Sequence, residues 1–166
     1  MNRSKPVSAS RATISCSVQP QNANPAGIVH GGFILHQIDT VAAVAAMRHV
    51  RGNVVTLSID RTIFHEPVHI GELVTFFASV NMVGTTSLEV GVRVEAENLF
   101  TGAIRHTNSA YLTFVALDRR HRPVPVPGLI LESEEDRRRN EEALARRAQR
   151  LAERSHSTPS RITFRP

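Results

Sequence analysis

Twenty consecutive residues, Gly31–Val50 (GGFILHQIDTVAAVAAMRHV), contain no proline and place apolar side chains on almost every helical face. A helix apolar all round has no side to offer water, so it is expected to be buried. It is not a membrane span, because its uncharged apolar stretch, residues 41–47, falls far short of the roughly 20 residues a bilayer requires. With 166 residues and 41% hydrophobic content, the chain can bury such a helix within one domain. That content is too high for a disordered chain.

Strand patterns surround the helix. A short one, residues 11–18, precedes it, and four follow: 54–64, 74–82, 88–97 and 104–117. In the second of these four, Val74, Phe76, Ala78, Val80 and Met82 form one face. In the third, Leu88, Val90, Val92, Val94 and Ala96 alternate with Glu89, Gly91, Arg93, Glu95 and Glu97. Gly84 and Gly102 fall between strands at lengths that suit antiparallel hairpins. Helix and sheet each need a partner face, so the expectation is an α+β fold with one antiparallel sheet covering one helix. Prolines across residues 121–128 predict an extended linker. The domain is therefore expected over 1–120, with a linker and helical tail over 121–166. Ser133 and Asp136 have the spacing of a capping box for that tail helix, whose apolar stripe is Leu144, Ala148 and Leu151.

The charge is mild once sorted. Lys5 is the only lysine among 20 basic residues; residues 1–131 carry a net +3 and residues 132–154 a net zero. The arginines of the tail raise the possibility of nucleic-acid binding, but Glu134, Glu135, Glu141 and Glu142 are interspersed among them and argue against it. No leader is expected, since the first ten residues have no apolar run. The single Cys16 excludes an internal disulfide and fits a reducing, cytoplasmic setting. No histidine spacing suggests a metal site, and neither a P-loop nor a G-x-G-x-x-G pattern occurs.

Asp39 is the most informative single residue. An unpaired carboxylate inside this helix would cost several kcal/mol, roughly. Either a neighbour such as Thr40 or His36 satisfies it, or the helix opens there onto a cavity or an interface. The preceding segment ends in Gly31 and Gly32, whose amides at a helix N-terminus are suited to a ligand oxygen or developing oxyanion, or merely permit a tight turn.

Asn24-x-x-Gly27-x-x-His30-Gly31-Gly32, followed after six residues by Asp39, resembles the active-site signature of hot-dog-fold acyl-CoA thioesterases. Residues 64–74 (FHEPVHIGELV), 84–87 (GTTS) and 97–103 (ENLFTGA), with Thr107 and Asn108, are similar to the acyl-CoA hydrolase branch of that family. The likeness spans about residues 10–120 and leaves the linker and tail unaccounted for.

It implies a long central helix wrapped by an antiparallel sheet, in a homodimer whose sheets join edge to edge, often assembled into tetramers or hexamers. It further implies hydrolysis of acyl-CoA to a fatty acid and free coenzyme A, with coenzyme A as part of the substrate and no cofactor. In this likeness Asp39 of one chain, as general base or nucleophile, acts with Asn24 of the other. Gly31 and Gly32 bind the thioester oxygen and His30 holds their loop. Arg61, Arg93 and Arg105 are candidates for the coenzyme A phosphates by charge and strand position. Thr85, Thr86 and Ser87 are either ligand contacts or hairpin caps. The alternative function on the same fold is a non-catalytic acyl-CoA-binding regulatory module.

Overall fold

The computed structural model describes residues 4–60 and 62–156, excluding the side chains of 154–156; Arg61 lies outside the described residues. The chain runs β1 (Lys5–Pro6), β2 (Ala12–Ser17), α1 (Gly31–Val50), β3 (Asn53–Ile59), β4 (Ile63–Phe64), β5 (Leu73–Val83), β6 (Ser87–Glu97), β7 (Ile104–Leu117), β8 (Leu129–Ile130) and α2 (Glu134–His156). The sheet order is β2-β5-β6-β7-β3, all antiparallel, with β4 pairing β7 beyond the end of β3. β1 and β8 form a separate parallel pair.

The sheet curls around α1 as expected. Ile34, Ile38, Val41, Ala42, Ala45 and Ala46 of the helix are buried against Val74, Phe76, Val90, Val92, Val94, Leu112 and Phe114. The predicted boundaries of α1 and β7 hold to the residue. His30 caps the start of α1, its Nδ1 accepting the Gly32 N–H at 3.1 Å. Arg51 ends the helix in a left-handed conformation (φ 56°), and Lys5 Nζ donates to the His49 carbonyl at 2.5 Å.

Burial of α1 is one-sided, which corrects the expectation of a helix enclosed all round. Phe33, Leu35, Ala43 and Val44 are only half-buried and Met47 is exposed. One sheet covers one side of a cylinder, and the edge strand β3 beside the open side exposes Val55, Leu57 and Ile59 as well.

The expected strand 54–64 is two strands, because the ladder on β7 jumps from Ile59–Leu112 to Ile63–Ser109 and resumes out of step. A bulge changes β5 in another way. Val80 pairs with Val90 but Met82 pairs with Glu89, so Asn81 is the extra residue. Beyond it the alternation inverts. Val83 packs on the core, whereas Met82 pairs with Glu89 on the outer face, under α2.

The residues beyond 120 pack against the sheet and α1. Val124 N–H bonds the Ala116 carbonyl, Val126 N–H the Thr85 carbonyl, and the buried His49 ring the Pro127 carbonyl. The capping box forms: Ser133 Oγ accepts the Asp136 N–H and Asp136 Oδ2 accepts the Ser133 N–H, both at 3.1 Å. α2 then lies on the outer face of the sheet with a largely polar side inward. Asp136 and Ala143 are buried, and Asn140 bonds the Asn81 carbonyl freed at the bulge. Arg146 and Arg150 converge on Glu89, which is fully buried (0% exposed), and Arg150 also pairs with Asp60 at 2.6 Å. The Arg146 guanidinium stacks 3.6 Å over the Tyr111 ring. The expected stripe of Leu144, Ala148 and Leu151 faces out instead, because these charged anchors decide the helix rotation.

Arg146→Ala should lower stability by about 3 kcal/mol, since it strips a buried carboxylate of its closest partner. Denaturant melts of Arg146→Ala, Glu89→Gln and the double variant should show coupling; additive losses would mean that the pair does not anchor α2.

Candidate active site

Asp39 lies mid-way along α1 on its half-covered side, where β3 passes. Thr56 Oγ1 donates to Asp39 Oδ1 at 2.8 Å. Neither expected helical neighbour serves: Thr40 Oγ1 donates to the His36 carbonyl at 2.8 Å, bonding its own helix. Thr56 is the site residue that sequence reasoning missed. It stands next to a second bulge, where Thr56 pairs with Phe114 and Ser58 with Thr113, so that Leu57 is extra. Bulges of this kind re-aim neighbouring side chains. The only trace in the sequence is a threonine in a strand otherwise rich in valine, leucine and isoleucine.

Asn24 closes a turn. Its Oδ1 accepts the Ala26 N–H at 2.9 Å and the Ile28 N–H at 3.4 Å, and Gly27 takes φ 77°, which its missing Cβ allows. Among the described residues its Nδ2 has no partner within the chain. The turn is joined to α1 because the His30 N–H bonds the Asn22 carbonyl at 2.8 Å.

The two glycines differ. The Gly32 amide is taken by His30, so the expectation that it receives the thioester oxygen is not met in this arrangement. The Gly31 N–H finds no acceptor among the described residues and stands at the positive end of α1. The Phe64 ring lies over Gly31, with Cζ 3.5 Å from where a Cβ would be. Gly31 and Asp39 are eight residues apart, so at 1.5 Å per residue they stand about 12 Å apart along the axis. A carbonyl on the Gly31 amide is therefore out of reach of the same chain's Asp39.

Two of the three arginine candidates, Arg93 and Arg105, stand in ion pairs. Arg93 is on the outer face, because Val92 and Val94 on either side point into the core, and it pairs with Glu95 at 2.7 Å. It lines a groove of about 600 Å³ between the sheet and α2, on the far side of the sheet from Asp39. Arg105 bonds both oxygens of Glu72, at 3.0 and 2.9 Å, and the Pro67 carbonyl at 3.1 Å. Glu66 Oε2 lies 3.0 Å from its Nε as a further ion pair. Both guanidiniums are thus held by carboxylates of the chain itself. Thr85 and Thr86 carry the hairpin that their carbonyls fasten to Val126 and Ala116, and the Ser87 carbonyl accepts the Gly84 N–H at 2.7 Å. No described hydrogen bond joins this hairpin to Asp39, Asn24 or Gly31 within the chain. Among the described residues no group of three His, Cys, Asp or Glu could hold a metal ion. No helix among them is long and apolar enough to cross a membrane.

Burial pushes the Glu72 carboxyl up, but the Arg105 guanidinium and the His69 N–H outweigh it and hold it below the usual carboxylate range. A carboxylate with a depressed native pKa stabilises the fold above its unfolded value and loses that contribution as pH falls through the native one. Glu72→Gln should therefore flatten the acid side of the stability-against-pH curve. An unchanged acid limb in pH-resolved thermal melts would contradict this.

The family model described as the thioesterase superfamily matches residues 26–102. Protein VdlD of Helicobacter pylori is 42% identical over 137 residues, covering 82% of this chain and 78% of that protein. The uncharacterized acyl-CoA thioester hydrolase YkhA of Bacillus subtilis is 37% identical over 148 residues, covering 89% and 86%. Among solved structures, the acyl-CoA hydrolase from Bacillus cereus superposes with a TM-score of 0.92 at 35% identity, covering 98% of this chain and all of that one (100%). An apo-hexameric acyl-CoA thioesterase superposes at 0.90 and 37% identity, covering 93% and 99%. The Staphylococcus aureus acyl-CoA hydrolase in complex with butyryl coenzyme A, coenzyme A and coenzyme A disulfide superposes at 0.85 and 34%, covering 90% and 92%. That hydrolase has also been solved as three alanine variants, of an aspartate, an asparagine and a threonine. With identities this high over most of both chains, and the same helix-in-sheet architecture, the chain belongs to the thioesterase superfamily, among its hot-dog-fold acyl-CoA hydrolases.

Proposed function

We propose that the protein hydrolyses acyl-CoA thioesters at sites shared between two copies of the chain. The observation that carries this reading is a spacing. In the S. aureus hydrolase the altered asparagine, aspartate and threonine are separated by 15 and 17 residues. Asn24, Asp39 and Thr56 have the same separations, and the last two are hydrogen-bonded. Butyryl coenzyme A and coenzyme A bound to that relative support the substrate class.

In this reading the thioester carbonyl accepts the Gly31 N–H of one chain, at the positive end of α1, where negative charge develops during attack. Asn24 of the same chain presents its free Nδ2 to the attacking water or the thioester. Asp39 comes from the other chain, a placement that the axial separation of about 12 Å supports, with its Oδ1 held by Thr56. Thr56 holds Oδ1 and leaves Oδ2 to take the proton from water, and in this reading Asp39 serves as the general base. Water adds to the carbonyl, the tetrahedral intermediate collapses, and the coenzyme A sulfur leaves, taking up the proton. Coenzyme A is part of the substrate and no separate cofactor enters. The exposed apolar side of α1 and the edge of β3 are the surfaces such a homodimer would bury. The hexameric relative supports further assembly. Cys16, a free thiol, suits a cytoplasmic setting.

Thiol release from a panel of acyl-CoA esters, acetyl to palmitoyl, tests the activity. Asp39→Ala should lower kcat by about a hundred- to ten-thousandfold, with Asn24→Ala and Thr56→Val also impaired. Wild-type rates in a folded Asp39→Ala protein would defeat the assignment, and binding without thiol release would make the chain a binding module. Two further results are expected. Co-expressed Asn24→Ala and Asp39→Ala chains should regain activity that neither has alone, because one composite site in each mixed dimer is intact. Mass spectrometry of enzyme quenched during turnover should find no acyl adduct on Asp39; an adduct would make it the nucleophile.

A further inference from the structure

The Arg105–Glu72 pair is connected to the Asn24 turn by an unbroken run of hydrogen bonds. Glu72 is nearly fully buried (5% exposed) and accepts Arg105 through both oxygens. Its Oε2 also accepts the His69 N–H at 2.8 Å, and the Arg105 guanidinium reaches the Pro67 carbonyl two residues earlier. One side chain thus fixes the loop between β4 and β5 at both ends. That loop is the surface on which the site segment lies. The Val29 N–H bonds the Val68 carbonyl at 2.8 Å, and Ile28 bridges to His69. The Ile28 carbonyl in turn accepts the Asn24 N–H at 2.8 Å. Val18, leading into the same segment, is bonded to the loop at both Gly71 and Glu72.

We propose that Arg105 is a positioning residue for thioester hydrolysis, acting through Glu72 and the loop 66–72 to set where Asn24 and the start of α1 stand. The proposal rests on the reading of Asn24 and Gly31 given above. It also assigns Arg105 a task other than holding coenzyme A phosphates. A guanidinium suits this task because it makes two parallel bonds to a carboxylate and a further one to a carbonyl, which a lysine's single ammonium cannot reproduce.

The experiment compares Arg105→Lys, Arg105→Gln, Glu72→Gln and the exchange Arg105→Glu with Glu72→Arg, each on an acyl-CoA and on the matching acyl-pantetheine, which lacks the nucleotide. Folding and assembly of each variant are checked by circular dichroism and gel filtration. Positioning predicts that kcat falls about ten- to a hundredfold in Arg105→Lys and Glu72→Gln, equally for both substrates, with KM little changed. The exchange variant should recover part of the loss. A rise in KM confined to acyl-CoA, with kcat intact and Lys substituting well, would overturn the proposal in favour of a phosphate contact. A loss that only follows the fraction unfolded would overturn it in favour of stability. Asp39→Ala in the same assay separates the two levels. If Asp39→Ala is inactive and the Arg105 variants are fully active, only this inference fails. If Asp39→Ala keeps its rate, the underlying reading fails.

Discussion

A helix of 20 residues with apolar side chains on nearly every face cannot be enclosed by one curled sheet. The sheet covers the side bearing Ile34, Ile38, Val41 and Ala45, and the remaining side stays half in water. That geometric shortfall determines where chemistry can occur. A carboxylate at position 39 would be costly if the helix were fully enclosed. On the uncovered side it is half-buried, reachable, and within reach of a hydroxyl from the edge strand.

The opposite face of the sheet follows different rules. Outward residues of a one-sided sheet are usually solvated, yet Glu89 is as buried as any core valine. The charge is tolerated because α2 delivers two guanidiniums to it and stacks one of them on Tyr111. The bulge at Asn81 serves the same contact, releasing a carbonyl for Asn140 and turning Met82 outward beneath the helix. Ion pairing, not an apolar stripe, therefore orients α2, and this leaves Leu144 and Leu151 exposed.

These two faces explain what the sequence could disclose. Periodicity is a local property, so α1, β2, β6, β7 and the Ser133–Asp136 cap were readable from it, and the motif around Asn24 to Asp39 singled out the site loop and helix. What escaped depends on partners distant in sequence. A bulge inserts one residue without any compositional mark, and two of the bulges here hid something: the phase of Met82 and the aim of Thr56 at Asp39. Arg93 and Arg105 were read by charge and strand position, and neither says whether a carboxylate already stands beside the guanidinium.

An anionic substrate would meet both the overall field of this protein and its local charges. A formal net charge of +5 suggests a cationic surface. Arg93, Arg105, Arg122, Arg138, Arg139, Arg146 and Arg150 all stand in ion pairs, so these guanidiniums contribute little to that excess, which rests on other basic residues. Paired charges cancel beyond a Debye length and contribute little to long-range attraction. Beside that field, the proposed site offers two local donors that have nothing to bond among the described residues: the Gly31 amide at the head of α1 and the Asn24 carboxamide. In the proposed reading Gly31 and Asp39 stand about 12 Å apart along α1, which gives a second copy of the chain a chemical task as well as a cover for apolar surface.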